Sequence, residues 1–142
     1  NQYTGYSVRK YHPRAGYSST VGTEALNYKN NYRVIRFSDI LLMASEALLR
    51  SGGSVGEAQD YYARVVKRAM GDDYKVPTVS LDNIYKERRY EFAMEGIRYW
   101  DLVRTNQAKD FIKGWDDTKK YLPIPQSEID KSDGHLVQNP HF

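Results

Sequence analysis

The sequence predicts a mainly α-helical protein made of helical hairpins, with a short N-terminal strand segment and an irregular, proline-containing C-terminal tail. Four segments between residues 32 and 113 carry apolar side chains at the three- and four-residue spacing of a buried helix face. Glycines, prolines and short polar residues separate these segments. The 142 residues include 13 tyrosines and are 13% aromatic, a content that disordered chains lack. The chain is therefore expected to fold as one domain with a core.

Residues 1–31 are predicted to contain the strand and a long loop. Within residues 3–11, which read YTGYSVRKY, Tyr6 and Val8 alternate with polar side chains as in a strand with one buried face. The following residues are rich in glycine, serine, threonine and asparagine, which predicts a loop of a length that is usually functional or mobile.

The first helix is predicted to begin with Ser38 as its N-cap and to end at Gly52 and Gly53. Apolar residues with helical spacing predict one face turned to the core. That predicted face consists of Phe37, Ile40, Leu41, Ala44, Ala47 and Leu48.

The second helix is predicted to follow almost at once, from Ser54 to Gly71, with Glu57 completing a capping box. Its predicted buried face consists of Val55, Ala58, Tyr61, Tyr62, Val65, Val66 and Ala69. Because only a few residues separate the two helices, they are expected to pack antiparallel as a first hairpin over residues 32–71. Small alanines would let the backbones approach closely, and the pair resembles a tetratricopeptide-type repeat.

A second hairpin is predicted over residues 80–113. Its first helix should be capped by Ser80 and end near Gly96, and its second should run from about Arg98 to Ile112. Trp100 lies on or near the apolar face of this last helix.

Residues 114–142 are predicted to form an irregular tail. Pro123 and Pro125 restrict the backbone before them to extended conformations and argue against a regular helix. The tail is expected to pack down through its apolar residues, which are Leu122, Ile124 and Ile129.

The predicted second hairpin carries charged residues inside an otherwise apolar stripe. Charges in such places must be paired, because burying an isolated ion costs several kcal/mol of folding free energy. We therefore expect a structural lattice of ion pairs between the hairpins, with Phe92 and Trp100 excluding water. The residues predicted to form it are Arg88, Arg89, Glu91, Glu95, Arg98 and Asp101.

The alternative for these charges is catalysis by a pair of carboxylates, as in a glycoside hydrolase. Glu87, Glu91 and Glu95 are spaced four residues apart, but each has an arginine within one helical turn. Those arginines should lower the pKa of each carboxyl and spoil a general acid. The structural interpretation is therefore favoured, and no enzymatic activity is expected.

Several other classes of function are excluded by composition. Cysteine is absent and the three histidines lack metal-ligand spacing, so no metal or other cofactor is expected. The net charge of +3 comes from 21 basic and 18 acidic residues that are scattered along the chain, so no nucleic-acid partner is expected.

Three ordered blocks of sequence carry a more specific signal. They are RFSDILLMASEAL at residues 36–48, ERRYEFAMEGIRYWDLVR at residues 87–104, and YLPIPQSEID with QNPHF between residues 121 and 142. In their order and spacing they resemble the C-terminal part of SusD/RagB family proteins.

This resemblance implies an outer-membrane lipoprotein on the cell-surface side, with a scaffold of tetratricopeptide-like helix pairs and no catalytic activity. Such proteins bind glycans, or sometimes peptides, and pass them to a TonB-dependent, SusC-like transporter. Members of the family are longer than this chain and begin at a lipidated cysteine. We therefore expect this chain to be a C-terminal piece of a larger protein, mostly scaffold, with the N-terminal lipid and an upstream portion outside it.

Ligand-binding residues cannot be assigned from the resemblance, so the candidates come from chemistry. Aromatic rings stack on the apolar faces of sugars while neighbouring polar groups bond the hydroxyls. Tyr17 and Tyr28 in the long loop, and Trp115 beside Gly114, are the predicted ligand-binding residues. The alternative is that the hairpins form a protein–protein adaptor that contacts the transporter or a peptide.

Overall fold

The computed structural model describes residue 5, residues 8–11 and residues 31–142. It divides into two compact units, Asn1–Met94 and Glu95–Phe142, which are described separately. The first unit contains α1 (Phe37–Ser51), α2 (Val55–Met70) and α3 (Leu81–Glu91), and the second contains α4 (Arg98–Arg104), α5 (Ala108–Phe111) and α6 (Gln126–Lys131). The predicted mainly helical class is confirmed. Over the described part of the chain, none of the helices combines the length and apolar character that crossing a membrane requires.

α1 and α2 form the predicted helical hairpin. Gly52 adopts a left-handed conformation with φ of 71°, and the Gly53 N–H donates to the Leu48 carbonyl at 2.8 Å, which closes α1. Ser54 is the N-cap of α2 as predicted, because its hydroxyl accepts the Glu57 N–H at 3.2 Å. Gly71, with φ of 97°, ends α2 where the sequence placed the end.

The face that α1 buries differs from the predicted one. Phe37 is 64% exposed and Ile40 is also exposed. The buried residues are Ser38, Leu41, Leu42, Ser45 and Glu46. The helix has apolar residues around much of its circumference, so spacing alone allowed both faces. The observed face lets the buried Ser45 hydroxyl donate to the Ala58 carbonyl at 2.7 Å, which draws α1 close to α2.

The predicted role of Ser38 as N-cap is also wrong. Arg36 occupies the N-cap position of α1, and Ser38 lies within the first turn. The Ser38 side chain is buried, and its hydroxyl has no hydrogen-bond partner among the described residues. A serine close to the start of an apolar helix therefore predicted an N-cap, but the helix begins before it.

α3 packs against α1. Ile84 and Tyr85 are buried, and the Tyr85 hydroxyl donates to Glu46 at 3.3 Å and accepts from Arg50 at 2.6 Å. Ser80 caps α3 as predicted, because its hydroxyl accepts the Asn83 N–H at 3.1 Å. α3 stops at Glu91 rather than near Gly96, because the chain turns there.

The second unit corrects the single helix predicted from Arg98 to Ile112. The chain leaves the helix after α4 and re-enters it at α5, with Asn106 between them at φ of 60°. Asparagine tolerates this left-handed conformation better than most residues, which explains a break without glycine or proline. The predicted pair of helices over residues 80–113 is consequently divided, with α3 in the first unit and α4 in the second.

The tail contains more regular structure than predicted. α6 begins directly after Pro125, whose φ of −54° suits a helix start, so the proline opens a helix that the sequence analysis excluded. The Gln138 amide donates to the Ile124 carbonyl at 2.9 Å and accepts the Ile124 N–H at 2.8 Å. Ile124 and Ile129 are half-buried, whereas Leu122 is exposed.

The N-terminal strand is wrong over its described part. Arg9–Tyr11 forms a single turn of 3-10 helix. Gly5 and Val8 are described without regular structure, and the remaining residues of the 3–11 segment lie outside the described residues.

Candidate functional site

The C-terminus of α3 is the centre of a buried ion-pair cluster in the first unit. The Glu91 side chain is only 5% exposed, and its carboxylate accepts from Arg36 at 2.8 Å and from Arg68. Arg36 also donates to the Glu91 backbone carbonyl at 2.9 Å, and the Lys10 ammonium donates to the same carbonyl. Cations at the carbonyl end of a helix are favourable, so α3 is fixed here by α1, α2 and the N-terminal turn.

Arg88 extends this cluster on the same helix. Its guanidinium, which is buried, pairs with Asp39 in the first turn of α1 at 2.6 Å. The guanidinium carbons of Arg88 and Arg36 lie 5.0 and 4.9 Å from the centroid of the buried Phe92 ring. Each arginine thus combines a carboxylate with an aromatic face, a pairing that lysine could not reproduce.

The other predicted lattice residues are Arg89 on α3 and three residues of the second unit. Arg89 is exposed and makes no ion pair among the residues that the structure describes. Glu95, Arg98 and Asp101 belong to the second unit, where the buried Asp101 accepts from Arg104 at 2.8 Å and Arg98 lies 5.1 Å from the Phe111 ring centroid.

Sequence reasoning missed the partners Arg36, Asp39 and Arg68. The first two lie in the RFSD sequence at the start of α1. Two opposite charges beside an apolar helix start could have indicated a tertiary contact. Arg68 lies in the last turn of α2 and gave no comparable signal.

Glu87 is half-buried on α3, one turn before Glu91. Burial, followed by the negative charge of Glu91, raises the pKa of Glu87 above its ordinary value of 4.5, and Arg68 only partly opposes this. The expected lowering of its pKa by a nearby arginine is therefore wrong for this residue. Glu87 and Glu91 lie one turn apart on one helix, so they cannot face each other across a sugar as a hydrolytic pair must.

Trp115 lies in a small aromatic cluster of the second unit. The Tyr99 ring meets Trp100 edge-on, with centroids 5.1 Å apart and planes at 88°, and meets Trp115 at 6.0 Å and 63°. Trp100 was expected to exclude water, but it is 51% exposed. Trp115 is half-buried. We call Tyr99, Trp100 and Trp115 the aromatic surface; the other predicted ligand residues, Tyr17 and Tyr28, lie outside the described residues.

The loop that carries Trp115 is held by its own polar side chains. Asp116 accepts from the Thr118 N–H at 3.0 Å and from the Thr118 hydroxyl, and this hydroxyl is the main cause that lowers the pKa of Asp116. The Lys119 ammonium donates to the Gly114 carbonyl, and the Tyr99 hydroxyl donates to the Lys119 carbonyl. The loop is thus tied both to itself and to α4.

The described residues contain no group of three or more histidine, aspartate or glutamate side chains that could hold a metal ion.

Known proteins are similar to this chain over much of its length. A sequence model of the SusD family matches residues 1–142. SusD-like protein P2 of Formosa agariphila is 25% identical over 154 residues, which cover 95% of this chain and 30% of that protein. A SusD-like protein of Bacteroides ovatus is 32% identical over 80 residues, covering 55% of this chain and 14% of that protein.

A solved structure is also similar to this chain. The surface glycan-binding protein A from Bacteroides thetaiotaomicron superposes with a TM-score of 0.70 at 44% identity, over 84% of this chain and 26% of that one. This chain therefore spans less than a third of the length of each of these relatives. Because the family model covers every residue, the chain belongs to the SusD family.

Proposed function

We propose that this chain is the helical scaffold portion of a cell-surface protein that binds a glycan and delivers it to a TonB-dependent transporter. The match of the SusD family model to residues 1–142 carries this proposal. It is supported by the structural similarity to a protein whose name describes it as surface glycan-binding. In this proposal the protein is held at the outer face of the outer membrane by a lipid.

Non-covalent binding without catalysis fits the observed charges. The most deeply buried carboxylate of α3, that of Glu91, is held by two arginines. Glu87 and Glu91 lie one turn apart on the same helix, so these two carboxylates do not face each other across a substrate as a hydrolytic pair must. A general acid also needs access to its substrate, and the Glu91 side chain is only 5% exposed. We therefore assign binding, and not cleavage, to the glycan.

The geometry of the ion-pair cluster supports a structural role for it. Arg36, Arg68 and Arg88 each pair with a carboxylate of the first unit, and all of these side chains except that of Arg68 are buried or half-buried. Groups whose hydrogen-bonding capacity is used internally are poor ligand contacts, because a ligand would have to displace existing bonds. The cluster is thus proposed to fix the helices that carry the rest of the protein.

The experiment that tests the function is affinity electrophoresis of the protein as its organism expresses it. Gels would contain soluble starch, levan, xylan, galactomannan or alginate, and the same mixtures would be assayed for new reducing ends. Retardation by one polysaccharide without new reducing ends is the expected result. New reducing ends that depend on Glu87 would overturn the assignment as a binding protein.

An adaptor role is the competing outcome of the same experiment. It predicts no retardation in any gel, together with co-purification of a transporter in the absence of sugar. Retardation by a polysaccharide would reject the adaptor role as the principal function.

A further inference from the structure

We infer that α1 packs through a second apolar side against a helical hairpin of the same polypeptide that lies outside these 142 residues. We call this side the outer stripe, and its residues are Phe37, Ile40, Met43, Ala44 and Ala47. The inference rests on the proposed function, in which this chain is the scaffold portion of a longer protein. It adds which surface of the scaffold joins the rest of that protein, and what kind of element covers it.

The outer stripe is a regular helix face, separate from the one that α1 buries within the first unit. Its residues recur at three- and four-residue steps, which places them along one side of the helix. The large side chains of the stripe are exposed, whereas Leu41, Leu42 and Ser45 on another side of α1 are buried. A helix with apolar residues on two sides is typical of one enclosed between two layers of structure.

The exposed side of α2 shows how a solvent-facing helix is built in this protein. It carries Asp60, Arg64 and Lys67 at the same three- and four-residue steps, and all three are exposed. The outer stripe of α1 contains no charged residue, and the Arg64 guanidinium lies beside its end, 5.3 Å from the centroid of the Phe37 ring. Of the two helices in this hairpin, α2 therefore has a side suited to water, and α1 has a side suited to another helix.

The chain that leads into α1 is exposed and apolar as well. Tyr32, Val34 and Ile35 all expose large side chains. Large exposed apolar patches are rare on monomeric proteins and mark interaction surfaces. The outer stripe has no hydroxyl, amide or charged side chain that could bond the hydroxyls of a sugar. We therefore assign it to a protein element and not to a glycan.

The architecture of stacked hairpins and the length of the relatives indicate what covers the outer stripe. In such stacks each hairpin contacts a neighbour on both sides, and the hairpins at the ends need a polar outer face. The outer face of α1 is apolar, so α1 fits an internal position with a further hairpin packed on it. SusD-like protein P2 and surface glycan-binding protein A each have more than two thirds of their length outside the matched region, which is ample for such a hairpin.

The residues of the outer stripe also indicate the chemistry of the facing helix. Ala44 and Ala47 allow close approach, within the roughly 8–10 Å that separates the axes of packed helices. Phe37, Ile40 and Met43 would fill the grooves of the facing helix. We therefore expect that helix to carry aliphatic or aromatic residues at three- and four-residue steps.

Photo-crosslinking of the protein as its organism expresses it identifies what covers the outer stripe. Phe37 is replaced by p-benzoylphenylalanine, a photo-reactive amino acid of similar shape, and the cross-linked peptides are identified by mass spectrometry. We expect a cross-link within one polypeptide, to a helical segment outside the 142 residues. The same replacement at Asp60, on the charged side of α2, is the matched control and should give no such cross-link.

A second measurement avoids a bulky side chain. The 142 residues contain no cysteine, so Ala47→Cys and Asp60→Cys each introduce one thiol whose labelling is followed in its own peptide. Maleimide should react with Ala47→Cys about tenfold or more slowly than with Asp60→Cys, because the packed hairpin must open first. The contact is intramolecular, so this ratio should not change when the protein is diluted.

Every other occupant gives a result that overturns the inference. A cross-link between two copies, or protection of Ala47→Cys that is lost on dilution, would indicate a dimer. A cross-link to a transporter, cross-links confined to the 142 residues, no cross-link, or equal labelling of Ala47→Cys and Asp60→Cys would reject the hairpin as well.

Failure of this inference is distinguishable from failure of the proposed function. A protein that forms the expected cross-link but is retarded by no polysaccharide would keep this interface and lose the glycan-binding role. A protein that is retarded by a polysaccharide but lacks the cross-link would keep the glycan-binding role and lose this interface.

Discussion

Replacing Glu91 by glutamine tests whether the ion-pair cluster is structural. The change preserves the size of the side chain but removes its charge, which leaves Arg36 and Arg68 without their carboxylate. In the variant, water can hydrate the Arg36 guanidinium only poorly, because this side chain is 23% exposed. Arg68 is 61% exposed, so water can hydrate it readily. Removing one partner of a buried pair costs about 3–5 kcal/mol, while an exposed pair contributes about 0–1 kcal/mol. Arg36 keeps its bond to the backbone carbonyl of residue 91, so we expect a loss near the lower end, about 3 kcal/mol.

Thermal unfolding gives the measurement. A loss of about 3 kcal/mol should lower the Tm by roughly 6–12 °C for a protein of this size. Arg89→Gln is the matched control on the same helix, because Arg89 is exposed, and it should change stability by less than about 0.5 kcal/mol. Glycan affinity should be nearly unchanged in both variants. Equal Tm values for Glu91→Gln and Arg89→Gln would refute the structural interpretation, as would a stable Glu91→Gln protein that no longer binds glycan.

Three further predictions concern other parts of the chain. Ser38→Ala should raise the free energy of unfolding in urea by about 1 kcal/mol, because it removes a buried hydroxyl without a partner; a loss of about 1 kcal/mol would instead restore the capping role. Glu87→Gln should raise the Tm at pH 7, because burial raises the pKa of Glu87 and its charge therefore costs stability. This gain should shrink as the pH falls through the raised pKa and vanish well below 4.5, where the carboxyl is protonated in both folded and unfolded chains; a gain that persisted there would contradict the reasoning. Gln138→Ala should accelerate hydrogen exchange of the Ile124 amide about fivefold or more, since that N–H loses its acceptor at 2.8 Å; unchanged protection would show that the tail is held in another way.

The sequence predicted those features of the fold that depend on a few adjacent residues. Ser54 and Ser80 cap their helices, and Gly52 and Gly71 end theirs, because caps and left-handed turns use side chains within four positions. The mainly helical class followed from the same spacing rules. These are local interactions, so a single sequence contains the information they need.

Features that depend on contacts between distant residues were predicted less well. The side of α1 that is buried was assigned wrongly. Apolar residues cover more than one face of α1, and contacts with distant residues, such as the hydrogen bond from Ser45 to Ala58 13 positions later, decide between the faces. The break after α4 arose at Asn106, whose left-handed conformation is permitted but not demanded by its sequence. In the tail, Pro125 was interpreted as a barrier to helix although it also suits a helix start.

The candidate site shows the same division. Trp115 was selected from its sequence neighbours and lies in an aromatic cluster. Its contact with a ligand stays a prediction. The exposure of Trp100 could not be predicted, because it depends on how α4 packs in three dimensions. Arg36 and Asp39 are 55 and 49 positions from the α3 residues they contact, so no local spacing rule could pair them.

A structural ion pair and a ligand contact place opposite demands on their side chains. Glu91 and Arg88 are buried and already paired, so a substitution of either should change mainly the stability of the helices. A ligand contact must remain available in the unbound protein, whereas a structural pair must already be satisfied. Glu91→Gln should therefore change stability and leave glycan affinity nearly unchanged.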